Sequence, residues 1–240
     1  FLALLACLIV GTAHIGLAGE PSQAGENFNV PTGTFGGMQL WEDLRVLSGW
    51  RIQRNVVTAH HRLLDDGDVR RAWGSREECD RALNSARSVH NLKPASDHAV
   101  VLLHGLGRTK SMYKSLAVKL EAEGYDVVTI NYPSSRRSIS AHADQVEEVL
   151  GDLEGITSVS FVTHSLGGIV MRAVLARDGS WRQTLEPRRL VMMGPPNQGS
   201  VLAREIPSAA DGIIGASLDE LRTISLAEFP APAIEFGIIA

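Results

Sequence analysis

The chain has 240 residues, 44% hydrophobic and 21% charged, with a formal net charge of −4. That length accommodates one sizeable core, or one domain with an appendage, at a polarity ordinary for a globular protein. Slight acidity without a long basic run argues against nucleic acid as a main partner. Cys7 and Cys79 provide neither a disulfide framework nor zinc-ligand spacing.

Residues 1–18 carry no formal charge and are almost wholly apolar. A secretory signal needs an apolar run of ~7–15 residues followed by small residues, whereas a membrane span needs ~20. Gly16, Ala18 and Gly19 supply the small residues, but a basic start and an initial Met are missing. Residues 1–19 are therefore read as an export signal that has lost its beginning, with an uncleaved membrane anchor as the alternative. The expected location is exported or membrane-anchored, with membrane association through this segment.

Residues 20–37, rich in Gly, Pro, Ser, Thr and Asn, read as a linker. Residues 38–97 form an N-terminal extension that leaves room for the first strands of a sheet. Within it residues 50–64 look partly extended, and Ser75 with Glu78 has the form of a capping box opening a helix to about Val89.

From residue 98 the pattern becomes regular. Residues 98–105 read as a short buried strand, and 125–132, 158–163, 188–194 and 233–240 as further strands. Between them, 111–124 puts Met112, Leu116 and Leu120 on one helical face, and Ser138 is placed to cap a helix bearing Val146, Val149, Leu150 and Leu153. A further helix spans about 166–177. Strands alternating with helices predict an α/β protein whose mostly parallel sheet is covered on both faces.

Ligands of such sheets bind beyond the carboxyl ends of the strands, and three segments place unusual residues there. The first is Thr163-His164-Ser165-Leu166-Gly167 with Gly168, a strand-to-helix turn suited to raising Ser165 as a nucleophile. Small residues let strand and helix approach, and the helix start favours a developing anion. The second is His104-Gly105-Leu106-Gly107, after an earlier strand. Gly105 and Gly107 let this loop turn its amides inward, so Leu106 N–H and Leu166 N–H are the candidate oxyanion donors. The third is 192–200, where Pro195 and Pro196 end a strand and Asn197, Gln198 and Ser200 offer polar groups.

Together these segments resemble the α/β-hydrolase family, in particular its bacterial lipase and esterase branch, with GPI-inositol deacylase-like proteins as near relatives. The resemblance covers about 98–240. It implies an α/β-hydrolase fold over those residues, with the C-terminal part missing, and a serine hydrolase cleaving carboxylic esters, with lipid-like esters as the expected substrates. Thr163 departs from the family's G-x-S-x-G pattern, in which a glycine occupies that position. No metal or organic cofactor is implied.

Other polar residues have plainer readings. His104 is expected to hydrogen-bond within its loop, and His164 to line the cleft or pack beneath it, because successive side chains diverge. His60 and His61 read as surface residues. Arg136 and Arg137 either touch substrate or are solvated, and residues 211–226 form either a lid or an ordinary packed helix.

A serine hydroxyl needs a base to take its proton, and the resemblance implies the order Ser, acid, His along the chain. The histidines are at 14, 60, 61, 90, 98, 104, 142 and 164, none after Ser165. The expectation is that acid and base lie beyond Ala240 and that this chain by itself is inactive. The competing reading is a non-catalytic, membrane-tethered binding module using the same cleft.

Overall fold

The computed structural model describes residues 31–34, 36–197, 216–223 and 229–240. The apolar segment 1–18 lies outside them. Among the described residues no helix is long and apolar enough to cross a membrane.

Five strands form a wholly parallel sheet: β6 (His98–Leu103), β7 (Asp126–Ile130), β8 (Ser158–His164), β9 (Glu186–Met193) and β10 (Glu235–Ile239). Their spatial order is β10-β9-β8-β6-β7. Both faces are apolar, as a doubly covered parallel sheet requires. Along β6 the residues alternate: Ala99, Val101 and Leu103 join the main core, while Val100 and Leu102 face the other way with Tyr113. Helix α2 (Lys114–Ala122) covers the Tyr113 face with Leu116, Ala117 and Leu120. Helices α3 (Ile139–Gly151) and α4 (Leu166–Leu175) cover the main-core face. Right-handed crossovers demand this division, since the chain steps one way from β6 to β7 and the other way from β7 to β8.

Most predicted elements appear, with shifted ends. Ser138 caps α3 by accepting from Ala141 N–H at 3.1 Å. The 111–124 face is shorter than expected, because residues 110–113 form a 3-10 turn before α2 and Met112 is exposed there. Leu153 lies beyond the end of α3 but is still buried.

The N-terminal part is a second layer. Strands β1 (Thr32–Gly33), β2 (Trp41–Leu47), β3 (Trp50–Asn55), β4 (His61–Leu64) and β5 (Val69–Gly74) form an antiparallel sheet in the order β1-β5-β4-β3-β2. The expected linker thus contributes a strand, with Thr32 opposite Arg70. Helix α1 (Arg76–His90) opens with the capping box of Ser75 and Glu78 and packs Cys79, Leu83 and Ala86 against Trp50, Ile52, Leu63 and Ala72.

Strand β2 lies beside β7, the free edge of the parallel sheet, and Val46 enters the main core. The two layers join through a buried polar network. The Asp43 carboxylate accepts from Arg51 (2.7 Å), Gln53 (2.7 Å) and Asn131 N–H (2.7 Å). Asp43 N–H donates to Asn131 O at 3.0 Å, and Gln145 donates to Asp43 O at 2.8 Å. Every partner lies in the other layer or on a neighbouring strand, so the Asp43 charge is compensated where water cannot reach it. Nearby, the carboxylate of buried Glu42 pairs with Arg54 and Arg137. On the surface Arg45, Arg76 and Arg87 link α1 and β2 to Glu148, Asp152 and Glu154 at the end of α3.

Candidate active site

The parallel sheet changes its winding direction between β6 and β8, the position at which doubly wound sheets open a crevice at their carboxyl edge. Leu103 pairs with Thr163, so the chain leaves these two strands side by side as His104-Gly105 and His164-Ser165.

Ser165 has φ 51 and ψ −122, a left-handed conformation that costs a non-glycine residue about 1–3 kcal/mol. Its surroundings hold it there. Ser165 N–H donates to Met193 O at 2.9 Å, and Gly168 N–H donates to Ser165 O at 2.9 Å. Close approach does the rest. A β-carbon on Gly167 would stand 2.6 Å from Leu103 O and 2.8 Å from His104 O, so only glycine lets α4 start against the end of β6. A β-carbon on Gly105 would meet His164 Nδ1 at 2.8 Å and Ser165 Cβ at 3.1 Å, which sets the 104–107 loop directly against the serine. Thr163 does not prevent the turn: its hydroxyl donates to Val191 O at 3.3 Å and lies beside Gly168, which adds no side chain of its own to the space it shares with Pro195 and Met192.

Arg108 N–H donates to Gly105 O at 3.1 Å and closes residues 105–108 into a turn. Gly107 has φ +67 and Leu106 does not have a positive φ, which is the pattern of a type II turn. Gly107 N–H donates to Ser134 Oγ at 3.0 Å. Leu106 N–H has no hydrogen-bond partner among the described residues. Leu166 begins α4, where the first N–H groups of a helix have no acceptor within it. Leu106 follows Gly105 and Leu166 follows Ser165, the two residues that meet at this turn.

His104 is fully buried and its two nitrogens are both engaged. Nε2 accepts from Tyr132 N–H at 3.4 Å, so Nδ1 carries the proton and donates to Gly105 O at 2.9 Å. Its ring stacks on Tyr132 with centroids 4.3 Å apart, and the Tyr132 hydroxyl donates to His104 O. Burial holds its pKa down at about 4, so it is a neutral structural imidazole. His164 is half-buried beside Ser165, its pKa lowered by desolvation and then by Arg108.

No histidine among the described residues hydrogen-bonds Ser165. His142 lies under Tyr132 and pairs through Nε2 with Ser217 Oγ at 3.1 Å. His98 sits at the start of β6, at the opposite end of the sheet, 3.0 Å from Ser160 Oγ. His60, His61 and His90 belong to the N-terminal layer. Among the described residues no cluster could hold a metal ion.

Two expectations for polar cleft residues change. Arg137 is committed to Glu42. Asn197 accepts from Arg172 of α4 at 2.7 Å, and the same guanidinium donates to Phe229 O and Pro230 O, fastening the chain after β9 and before β10 to the helix that starts at Ser165. Gln198 and Ser200 lie outside the described residues. Of segment 211–226, helix α5 (Ala216–Thr223) is described. It is docked on α3, with Leu221 buried, Ser217 donating to Arg137 O and Glu220 accepting from Ile139 N–H at 2.7 Å.

Sequence reasoning gave no role to Gln39 or Ser134, which brace the 105–108 turn. Neither residue stands in a motif, so no local signal marks them.

No curated protein matches the sequence. Among solved structures, the lin2722 gene product of Listeria innocua is similar at 16% identity and TM-score 0.40, over 57% of this chain and 67% of that one. Aspergillus fumigatus lipase B is similar at 21% identity and TM-score 0.38, over 43% and 26%. A Paleococcus ferrophilus monoacylglycerol lipase is similar at 19% and TM-score 0.36, over 48% and 47%. The chain thus spans under half the length of both lipases. These likenesses are too slight to carry an argument, and the assignment rests on the family model. Residues 100–236 match the model of the alpha/beta hydrolase family, which agrees with the five-stranded parallel sheet and its helices. The chain belongs to the alpha/beta hydrolase family.

Proposed function

We propose that the protein is a serine hydrolase that cleaves carboxylic esters, lipid-like ones included, through an acyl-enzyme on Ser165. The observation that supports this reading is the strained turn at Ser165 packed against Gly105, the residue before Leu106, at the start of the helix that Leu166 opens. Ser165 Oγ attacks the ester carbonyl while a base takes its proton. The two N–H groups receive the negative charge that develops on the carbonyl oxygen, each such donor being worth about 2.7–4 kcal/mol in a hydrolase of known mechanism. The alcohol leaves with a proton from the base, and water then attacks the acyl-enzyme by the same route in reverse.

The base in this proposal is a histidine oriented by a carboxylate. Export or membrane anchoring through residues 1–19 belongs to the proposal and rests on their apolar composition. The second reading, a binding module with the same cleft, is favoured by the absence of a hydrogen-bonded base among the described residues.

A fluorophosphonate probe followed by peptide mapping tests the proposal. Covalent labelling at Ser165, lost in Ser165→Ala, is expected from the full protein. A folded protein that is never labelled at Ser165 and still binds esters would establish the binding module instead.

A further inference from the structure

The residues on each side of Gln39 face solvent, Met38 at 54% and Leu40 at 42% exposure, but Gln39 itself turns inward toward the carboxyl edge of the parallel sheet. Its amide spends both donors and both acceptor sites on two loops of that edge. Nε2 donates to Arg108 O at 3.1 Å and to Ser134 Oγ at 3.2 Å. Oε1 accepts from Ser135 N–H at 2.9 Å and from Ser135 Oγ at 2.9 Å. The orientation of the amide is set by its partners, because Arg108 O can only accept and Ser135 N–H can only donate. Ser134 Oγ in turn receives Gly107 N–H at 3.0 Å.

The 105–108 turn is therefore gripped at its third residue through Ser134 and at its fourth through Gln39. Leu106 N–H, between those grips and Gly105, is the group left without a partner. The platform holding Gln39 is itself fastened. Leu40 O accepts from Val56 N–H at 3.0 Å, and Met38 O accepts from Asn131 Nδ2 at 3.2 Å.

We propose that Gln39 is a positioning residue: the N-terminal layer uses it to lock the 105–108 turn so that Leu106 N–H stays aimed at the reacting carbonyl. This inference rests on the serine hydrolase reading for its chemical meaning, although the grip on the turn exists independently of it. Leu106 N–H belongs to the 105–106 peptide, which an unbraced turn starting at a glycine can rotate at little cost, and a donor that has rotated away contributes nothing to an oxyanion.

The experiment compares the full protein with Gln39→Leu, which keeps bulk and loses every hydrogen bond, and Gln39→Glu, which keeps the acceptor for Ser135 and loses the donor to Arg108 O. Two quantities are read: amide hydrogen exchange of peptides covering 105–108 and 134–136, and the second-order rate of fluorophosphonate labelling at Ser165. Gln39→Leu should speed exchange in both segments and slow labelling about tenfold, the effect of roughly one lost hydrogen bond on a barrier. Gln39→Glu should keep 134–136 protected while 105–108 loosens, with an intermediate labelling rate. Exchange in α1, α3 and β6 should stay as in the parent.

Unchanged exchange at 105–108 in Gln39→Leu would overturn the proposal, as would loosening spread evenly over the whole chain. Loosening of 105–108 with an unchanged labelling rate would also overturn it, since the turn would then be braced without consequence for the serine. If the parent itself is not labelled, the serine hydrolase reading has failed, and the exchange data still decide whether Gln39 holds the turn.

Discussion

Gly105 and Ser165 meet so closely that a β-carbon on the glycine would lie 3.1 Å from Cβ of the serine and 2.8 Å from His164 Nδ1. The residues are sixty positions apart in sequence and come from the ends of two adjacent parallel strands. Gly105→Ala must therefore displace the serine or the loop that faces it. Displacements of about 1 Å in a reacting group can cost about 10²-fold in rate. Labelling of the full protein at Ser165 should fall by that order, with circular dichroism unchanged. An alanine variant labelled at the parental rate would show that the serine and the loop do not work together.

Gly167→Ala meets a less forgiving neighbour. The new β-carbon would be 2.6 Å from Leu103 O and 2.8 Å from His104 O, and backbone oxygens cannot swing aside as a side chain can. Overpacking of this kind costs about 1–3 kcal/mol. A lower urea midpoint with an unchanged slope is the expected result.

Two ion pairs contrast, one at the junction of the two layers and one between β9 and β10. Asp43 is fully buried and compensates Arg51, Gln53 and Asn131 N–H. Asp43→Ala strands a buried guanidinium and should cost about 3–5 kcal/mol. Arg189 and Glu235 also form a pair at 2.8 Å, but both are about 70% exposed. Arg189→Ala should leave the melting temperature within error of the parent. Equal losses from the two substitutions would mean that the buried network does not unite the layers.

Acid should destabilise the protein through its buried histidines. Burial lowers the pKa of His104 to about 4 and of His142 to about 3, both from 6.5. Below 6.5 the unfolded chain takes up protons that the folded chain refuses, so stability is complete above that pH and declines as pH falls toward those values. Each histidine contributes a slope of up to about 1.4 kcal/mol per pH unit in that window. Denaturant titrations between pH 7.5 and about 4.5 should show this decline, and His142→Leu should reduce its slope by about half. A flat profile would mean that the rings are solvated.

Glu42 and Gln39 show how little of the N-terminal layer could be read from sequence. Residues 38–97 contain the capping box of Ser75 and Glu78, a local pattern with a local cause, and it appears as read. The antiparallel sheet around it was only partly legible, because its strands interleave apolar residues with Glu42, Asp43, Arg51, Gln53 and Arg62, which are buried through hydrogen bonds and ion pairs to other strands or to the other layer. Glu42 meets Arg137, and Asn131 N–H meets Asp43, 88 positions away. Such partners leave no periodicity in either segment.

The core was more legible. The five strands of the parallel sheet, the glycines at 105, 107, 167 and 168, and Ser165 at a strand-to-helix turn all follow from short-range rules. Short apolar runs form the strands, four of them with buried residues and β10 exposed along its length, and glycine marks places where backbones must touch or turn left-handed. Thr163, which departs from the family pattern, needed the structure to show that Gly168 makes room beside it.

From sequence alone came the alternation of strands and helices and the two turns that carry Ser165 and Leu106. Tertiary structure alone decided that these turns adjoin, that Arg137 and Asn197 are held by other residues, and that Gln39 reaches across from a separate layer to grip the loop. The physical reason is range: backbone conformation and burial are written in neighbouring residues, whereas a hydrogen bond between distant segments exists only once the chain has folded around it.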